Sequence, residues 1–204
     1  MALIGNKVRE AKTAKATAAA EYGREETVEL VKQAAGGNFT AFGELYGTYL
    51  DRIYRYVYYQ VNDKMAAEDI TEDVFVKAWK SIESCKGKEA TFSSWLYRIA
   101  HNHLINVLRR EQRLAPIEKV ASVELTDFIE ELETRAEYRE LMENINCLPA
   151  NQKQVIILKF IEGMENREIG TIMGKREGAV RVLQMRALAT LRKRMGKGKD
   201  YEQE

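Results

Sequence analysis

The chain has 204 residues, of which 45% are hydrophobic and 31% are charged, and its formal net charge is +1. This length suits one domain or two small ones, each with a modest core. The two cysteines, Cys85 and Cys147, form no CxxC or CxH spacing, so neither a disulfide framework nor a structural zinc site is indicated. Because no long apolar run and no signal-peptide pattern occurs, the sequence predicts a cytoplasmic protein without membrane insertion.

Charge is strongly segregated along the chain despite the small net value. Residues 175–199 are basic with Glu177 as their one acid, whereas acids predominate over residues 118–143. Such an asymmetry indicates different partners for different segments. Residues 1–24 are rich in Ala, Lys and Thr without an apolar face, and they are predicted to be a mobile tail.

The first predicted elements are a short helix and a long aromatic helix. The short helix covers residues 25–35, and a glycine pair and a cap at Asn38 or Thr40 follow it. The long helix runs to about Val61, because apolar residues recur at steps of three and four and form a stripe that we expect to be core. The stripe consists of Phe42, Leu45, Tyr46, Tyr49, Ile53, Tyr56 and Val57.

An acidic amphipathic helix is predicted for residues 65–82, MAAEDITEDVFVKAWKSI. Its apolar side carries Ile70, Val74, Ala78 and Ile82. Its first half carries Glu68, Asp69, Glu72 and Asp73. Acids near a helix N-terminus are stabilised by the helix dipole, which is the simplest interpretation. If Phe75 or Trp79 is partly exposed beside these acids, the helix instead suits docking onto a basic protein surface.

A polar loop, residues 83–91, precedes a helix with the sequence FSSWLYRIAHNHLINVLRREQR, residues 92–113. Its predicted buried side carries Trp95, Ile99, the aliphatic part of His103, and Val107. The other sides offer hydrogen-bond donors from Arg98, His101, Asn102, Asn106, Arg109 and Arg110. Interleaved amides, arginines and aromatics suit nucleic acid, although a merely solvated polar side is the alternative.

No metal site, cofactor or catalytic centre is predicted. His101 and His103 lie two residues apart, so on a helix they point about 200° apart and cannot bind one ion. The sequence also lacks a nucleophile and base pair and a glycine-rich phosphate loop.

Residues 114–134 are predicted to be an acidic linker, which begins where Pro116 breaks the helix. A second helical domain follows over residues 135–195, with a break at Leu148-Pro149 and an apolar helix over residues 152–161. Residues 196–204 form a C-terminal tail.

The last part of this domain, NREIGTIMGKREGAVRVLQMRALATLRKRM, residues 166–195, has the pattern of a helix-turn-helix. Gly174 is placed at the turn. The residues expected to pack the two helices together are Ile169, Ile172, Met173, Val180 and Leu183. The residues expected to face a DNA major groove are Arg181, Val182, Met185 and Arg186. A solvated basic helix that ends an ordinary bundle is the alternative.

Two separated segments together resemble the bacterial RNA polymerase sigma factors of the compact extracytoplasmic-function (ECF) group. The acidic helix with the helix after it resembles the family's second conserved region, and residues 148–193 resemble its fourth. The resemblance covers most of the chain and implies an all-α protein of two small helical domains joined by the acidic linker. It also implies a non-enzymatic initiation factor that binds core polymerase and promoter DNA.

The resemblance assigns roles to the predicted surfaces. The clamp of the largest polymerase subunit would contact Asp69, Glu72, Asp73 and Phe75. The −10 element would be recognised and melted by Arg98, His101, Asn102, Asn106, Arg109 and Arg110, with the loop before them. The −35 element would contact Lys175, Arg176, Arg181, Val182, Met185 and Arg186. The second domain would meet the flap of the second-largest subunit, the linker would follow the RNA-exit path, and an anti-sigma protein is a further partner known for the family.

The chain departs from the family pattern at a few positions. Cys85 stands where an aromatic is common, and Glu165 stands where Ser or Thr usually caps the helix. Gly170 replaces a small Ala, and Val182-Leu183 replaces a more polar pair. An alternative function is a helix-turn-helix regulator that does not join polymerase, but the acidic helix of residues 65–82 would then have no role.

Overall fold

The computed structural model of the chain describes residues 25–85, 91–114 and 132–198. All regular structure within these ranges is helical, which confirms the all-α class. The predicted N-terminal tail, most of the predicted acidic linker and part of the loop of residues 83–91 lie outside the described residues. None of the described helices is long and apolar enough to cross a membrane.

The first helical unit contains four α-helices and a short 3₁₀ turn. They are α1 (residues 25–35), α2 (Phe39–Val61), α3 (Lys64–Ser81), the 3₁₀ turn Ile82–Cys85 and α4 (Phe92–Leu114). The Asn38 side chain caps α2 by accepting hydrogen bonds from the backbone N–H groups of Thr40 and Ala41. Asp63 caps α3 in the same way through the N–H of Ala66.

The second unit contains the remaining helices. They are α5 (Leu132–Asn146), α6 (Ala150–Ile156), a π-helical turn (Ile157–Ile161), α7 (Asn166–Met173) and α8 (Glu177–Gly198). Pro149 precedes the first residue of α6, where its missing N–H costs no helical hydrogen bond. The predicted break at Leu148-Pro149 is therefore confirmed.

The aromatic stripe of α2 is buried as predicted, except that Tyr46 is more than a third exposed. The buried side of α4 differs from the prediction. Its buried residues are Phe92, Leu96, Tyr97, Ala100 and Leu104, whereas Trp95, Ile99, His103 and Val107 are only half-buried. The reason is that α4 packs against α3 and also against α7, so a second neighbour widens and displaces the buried arc.

The helix-turn-helix depends on a close approach of its backbone. Gly174 ends α7 in the left-handed region at φ 63°, and the N–H of Lys175 donates to the carbonyl of Gly170 at 2.8 Å. A Cβ atom at Gly170 would lie 2.7 Å from the carbonyl oxygen of Lys175. Gly170 therefore permits a tighter turn than the Ala usual in the family would permit.

The two helical units are packed together. One continuous apolar core extends from Val31 in α1 to Val180 in α8. A smaller cluster holds α5, α6 and α8 to each other and consists of Met142, Ile145, Leu148, Ile156, Ala187 and Leu191. Contacts of α7 with α4 and of the π-helical turn with α2 join the two units.

Candidate nucleic-acid and polymerase interfaces

The acidic side of α3 is a mixed acidic and apolar surface. Glu68, Asp69, Glu72 and Asp73 are all exposed. Met65 and Val76 lie on the same side at helical spacing and are 76% and 50% exposed. Asp69 and Glu72 form no ion pair with any described residue, so their charges are available to a partner.

The aromatic residues beside these acids divide into buried and exposed members. Phe75 is only 5% exposed and packs on Tyr46, with ring centroids 4.7 Å apart. Trp79 is half-buried between Phe39 and Phe42. Phe39 itself is largely exposed. Exposed apolar contact on this surface therefore comes from Met65, Val76 and Phe39, which the sequence analysis did not single out, rather than from Phe75.

One acid of α3 is tied to α4. Asp73 Oδ2 lies 2.9 Å from His103 Nε2 and 3.5 Å from Lys77 Nζ. The pKa of His103 is lowered, first by burial and then by Lys77, while Asp73 acts in the opposite direction. Asp73 thus serves the packing of α3 on α4 as well as the acidic surface.

Five of the six predicted −10 residues share one exposed side of α4. Arg98, Asn102, Asn106, Arg109 and Arg110 follow helical spacing and are solvent-exposed. This exposed row combines three guanidinium groups with two amides, which suits phosphates and base edges.

His101 is not part of that exposed row. It is 6% exposed, and its Nδ1 contacts the side-chain nitrogen of Gln154 in the second unit. Its pKa is lowered, first by burial and then by the positive charge of Lys175. In this arrangement α6 and α7 cover His101, so the prediction that it is an outward donor is wrong for the packed chain.

A buried carboxylate joins the two units. The side chain of Glu162, which follows the π-helical turn, is 0% exposed. Arg55 Nε donates to its Oε1 at 3.0 Å and Arg55 Nη2 donates to its Oε2 at 3.3 Å. The Tyr97 hydroxyl also donates to Oε2, and Arg52 Nε lies 3.6 Å away. Glu162 therefore connects the second unit to both α2 and α4.

Two more polar residues of α6 reach the first unit. The side-chain nitrogen of Gln154, besides contacting His101, donates to the hydroxyl of Tyr56 at 2.7 Å. Lys153 Nζ donates to the backbone carbonyl of Gln60 at 3.1 Å. Burial lowers the pKa of Lys153 to about 8. These contacts are not visible in the sequence, because Lys153 and Gln154 lie in a strongly apolar stretch and Glu162 lies beside Gly163, where a helix end is expected.

The predicted major-groove residues of α8 point outward. Val182 and Met185 are exposed, as are Arg181 and Arg186. Val180, Ala187 and Leu191 are buried on the opposite side, as predicted. Near the turn, Arg176 is exposed and Lys175 is half-buried. Glu177, which the sequence analysis had not assigned to the site, forms an ion pair with Arg181.

An apolar groove of about 550 Å³ runs along the junction of the two units. The second unit lines it with Leu141, Ile145, Phe160 and Leu188, and α2 contributes Arg55 and Tyr59. Phe160 is 56% exposed at its edge. Among the described residues, no group of three or more His, Cys, Asp or Glu side chains is arranged to hold a metal ion.

Comparison with known families gives two matches that coincide with the two helical units. The model of Sigma-70 region 2 matches residues 45–114, and the model of Sigma-70, region 4 matches residues 138–191. The two matches follow each other along the chain in the same order as the two units, and they lie on either side of the segment predicted to be the acidic linker.

Individual relatives agree. The ECF RNA polymerase sigma factor BldN of Streptomyces coelicolor is 34% identical over 80% of this chain, which spans 64% of that protein's length. The ECF RNA polymerase sigma-E factor of Haemophilus influenzae is 30% identical over 74% of this chain and 86% of the relative. The ECF RNA polymerase sigma factor SigW of Bacillus subtilis is 28% identical over 81% of this chain and 94% of its own length.

Solved structures with the same fold include CnrH in complex with the cytosolic domain of CnrY, with a TM-score of 0.65 and 24% identity. This likeness covers 84% of the present chain and 98% of the solved one. The sigma factor RpoE of Bartonella quintana, solved with the anti-sigma factor NepR, has a TM-score of 0.64 and 22% identity. This second likeness covers 76% of the present chain and 96% of the solved RpoE chain.

Proposed function

The chain belongs to the ECF group of RNA polymerase sigma factors. From this membership we propose which of its surfaces bind polymerase and which bind promoter DNA during initiation. It binds core RNA polymerase and promoter DNA, and it is a recognition subunit rather than an enzyme. Its place of action is the cytoplasm, where polymerase and promoter DNA are found.

The acidic side of α3 docks onto the clamp of the largest polymerase subunit. Asp69 and Glu72, which are exposed and not paired with described residues, supply the attraction. Met65 and Val76 lie before and after them on the same side of the helix and supply apolar area that is removed from water on docking. Asp73 contributes while it also holds His103, and Phe75 acts indirectly by supporting the helix from below.

The exposed row on α4 holds the −10 element. Arg98, Arg109 and Arg110 neutralise phosphates, and Asn102 and Asn106 are suited to the edges of bases that have left the stack. His101 belongs to this group only once the second unit has moved away from it.

The outward side of α8 contacts the −35 element. Arg181 and Arg186 are long enough to reach base edges in a major groove, and Val182 and Met185 provide apolar contact with thymine methyl groups. Lys175 and Arg176 lie near the turn, where they suit phosphate contacts.

Two further partners fit the second unit. The apolar groove edged by Phe160 is a suitable place for the flap of the second-largest polymerase subunit. An anti-sigma protein is a second candidate partner, since two of the solved relatives were obtained with partner chains, one of them named as an anti-sigma factor.

The observation that carries this proposal is the presence, in one chain, of an exposed acidic and apolar surface on α3 together with an outward basic α8. A helix-turn-helix regulator that acts without polymerase needs only the second of these. The test is to add the purified protein to bacterial core polymerase and to measure complex formation and transcription from the host's promoters. Absence of binding to core polymerase would exclude the sigma function and leave the regulator.

A further inference from the structure

The polar contacts between the two units fall into three groups, centred on Lys153, Gln154 and Glu162, which together we call the latch. From the second unit it contains Lys153, Gln154 and Glu162. From the first unit it contains Arg52, Arg55, Tyr56, Tyr97, His101 and the carbonyl of Gln60. We propose that the latch holds the free chain in a closed, inactive arrangement that must open before promoter DNA is engaged; this rests on the proposed function.

The closed arrangement is incompatible with simultaneous contact to both promoter elements. By their own numbering, the −10 and −35 elements lie roughly 25 base pairs apart, which is about 85 Å of duplex. In the structure α7, the first helix of the helix-turn-helix, packs directly on α4, which carries the −10 row. The two DNA-binding helices are therefore far too close together to occupy both elements.

Closure also covers residues that the open chain would use. His101 is buried beneath Gln154, and Lys175 lies near enough to lower its pKa. On the other side of the junction, Arg55 and Tyr59 of α2 form one wall of the apolar groove of the second unit. One movement of the second unit away from α2 and α4 would uncover His101 and remove one wall of the groove at the same time.

The chemistry of the latch suits a contact that must be specific and also releasable. A carboxylate with no exposure is tolerated only while its partners are present, so Glu162 favours one relative placement of the units. When the units separate, Glu162 and Lys153 regain water and Arg55 is already partly exposed, which recovers part of the free energy of the broken contacts. The polar groups therefore fix the geometry of the closed state and still allow the two units to separate.

The experiment compares full-length chains by small-angle X-ray scattering without polymerase and by affinity for core polymerase. Arg55→Glu should repel Glu162 and increase the radius of gyration. It should also strengthen core binding by about tenfold, because the closed population no longer reduces the apparent affinity. The double variant Arg55→Glu with Glu162→Arg should restore both the compact form and the wild-type affinity. Lys32→Glu, at an exposed position of α1, is the control with the same change of charge.

Each outcome decides the matter. If Arg55→Glu leaves the radius of gyration unchanged, the latch does not hold the chain closed and the inference is overturned. Expansion that the double variant does not reverse would overturn the assignment to the pair Glu162 and Arg55. Should Arg55→Glu not fold, as judged by circular dichroism, Glu162→Gln must produce the expansion instead. Failure of every variant and of the wild type to bind core polymerase would refute the proposed function while leaving the scattering result valid.

Discussion

Gly170 is the residue on which the geometry of the helix-turn-helix depends. A methyl group at this position would lie 2.7 Å from the carbonyl oxygen of Lys175, a backbone atom that cannot rotate away. We expect Gly170→Ala to reduce the free energy of unfolding by about 1–3 kcal/mol, because the turn must open to accommodate it. Urea unfolding measures the change.

Gly43→Ala provides the matched control. Gly43 is exposed in α2, and a methyl group there would have nothing within 4 Å. This substitution should stabilise the helix by about 0.5–1 kcal/mol. Equal effects of the two substitutions would show that the turn adapts without cost.

Arg186 tests whether α8 reads sequence. Its side chain is exposed on the outward side of the helix. If it contacts a base edge, Arg186→Ala should lose on the order of 1–3 kcal/mol of binding to the cognate −35 sequence and much less to unrelated sequences. Fluorescence anisotropy with the two duplexes distinguishes them. An equal loss on both would make Arg186 a phosphate contact, which is the behaviour expected for Arg192→Ala near the end of the helix.

At the residue scale, the sequence predicted exposed groups better than buried polar ones. The outward set on α8 follows from helical periodicity, because the buried Val180, Ala187 and Leu191 recur on one side and leave the outward set on the other. The sequence did not identify the buried polar contacts of His101, Gln154 and Glu162. Nothing next to a polar residue in the sequence indicates that its partner lies 53 or 65 positions away. Burial of such groups depends on how the units meet.

Among the helices, α3 has the most specific role. Reversing charge at Asp69 and Glu72 should weaken core binding by roughly tenfold or more, since both acids are exposed and their attraction to a basic surface is lost. The double variant Asp69→Lys with Glu72→Lys leaves the contact between Asp73 and His103 in place. Pull-down with core polymerase at two salt concentrations measures the loss.

A control separates docking from helix stability. Glu44, on the exposed side of α2, has no role in the acidic surface of α3. Glu44→Lys should leave core binding unchanged. If the α3 double variant also retained its affinity, the acids would serve only to stabilise the N-terminal half of their helix.

At the element scale, helix boundaries were predicted well, and the rotation of α4 about its axis was not. Caps and breaks such as Asn38, Pro149 and Gly174 act locally, so they are visible in sequence. The buried side of α4 was displaced because α7 covers a second side of it. An amphipathic pattern identifies one apolar face, and it does not reveal that a distant helix will bury another.

For the whole molecule, the lowered pKa of His101 predicts a dependence of stability on pH. Burial and Lys175 favour the neutral imidazole in the folded chain, whereas the unfolded chain takes up a proton near the ordinary pKa of about 6.5. This contribution is therefore fully present above pH ~7 and is lost as the pH falls below about 6.5. The urea concentration at the midpoint of unfolding should decrease as the pH is lowered from about 7.5 to about 5.5.

Two variants assign the effect. His101→Gln should flatten part of the pH dependence, and His103→Gln should flatten another part, because the pKa of His103 is also lowered by burial. An unaltered pH profile in His101→Gln would mean that this imidazole does not change its environment on folding, which contradicts its burial beneath Gln154.

The arrangement of the two units was beyond sequence-based prediction, although their existence was not. Each unit has its own periodicity and its own family match, so two helical domains were predictable. The continuous core between them depends on shape complementarity of surfaces that each look like ordinary helix faces when taken separately.

The π-helical turn has a consequence for how the chain can vary. In a regular α-helix, positions 154 and 162 would lie roughly 80° apart around the axis. The turn takes up about one additional residue, with the N–H of Glu162 bonded to the carbonyl of Ile157, and so directs both side chains towards the first unit. Inserting one further residue into this element would rotate Glu162 by about 100° away from its partners, whereas deleting the additional residue would leave a regular helix in which the two positions, seven apart, still point the same way. Closure is thus encoded in local chain length as much as in charge, and a single-residue insertion between Gln154 and Glu162 would abolish it while keeping every charged group.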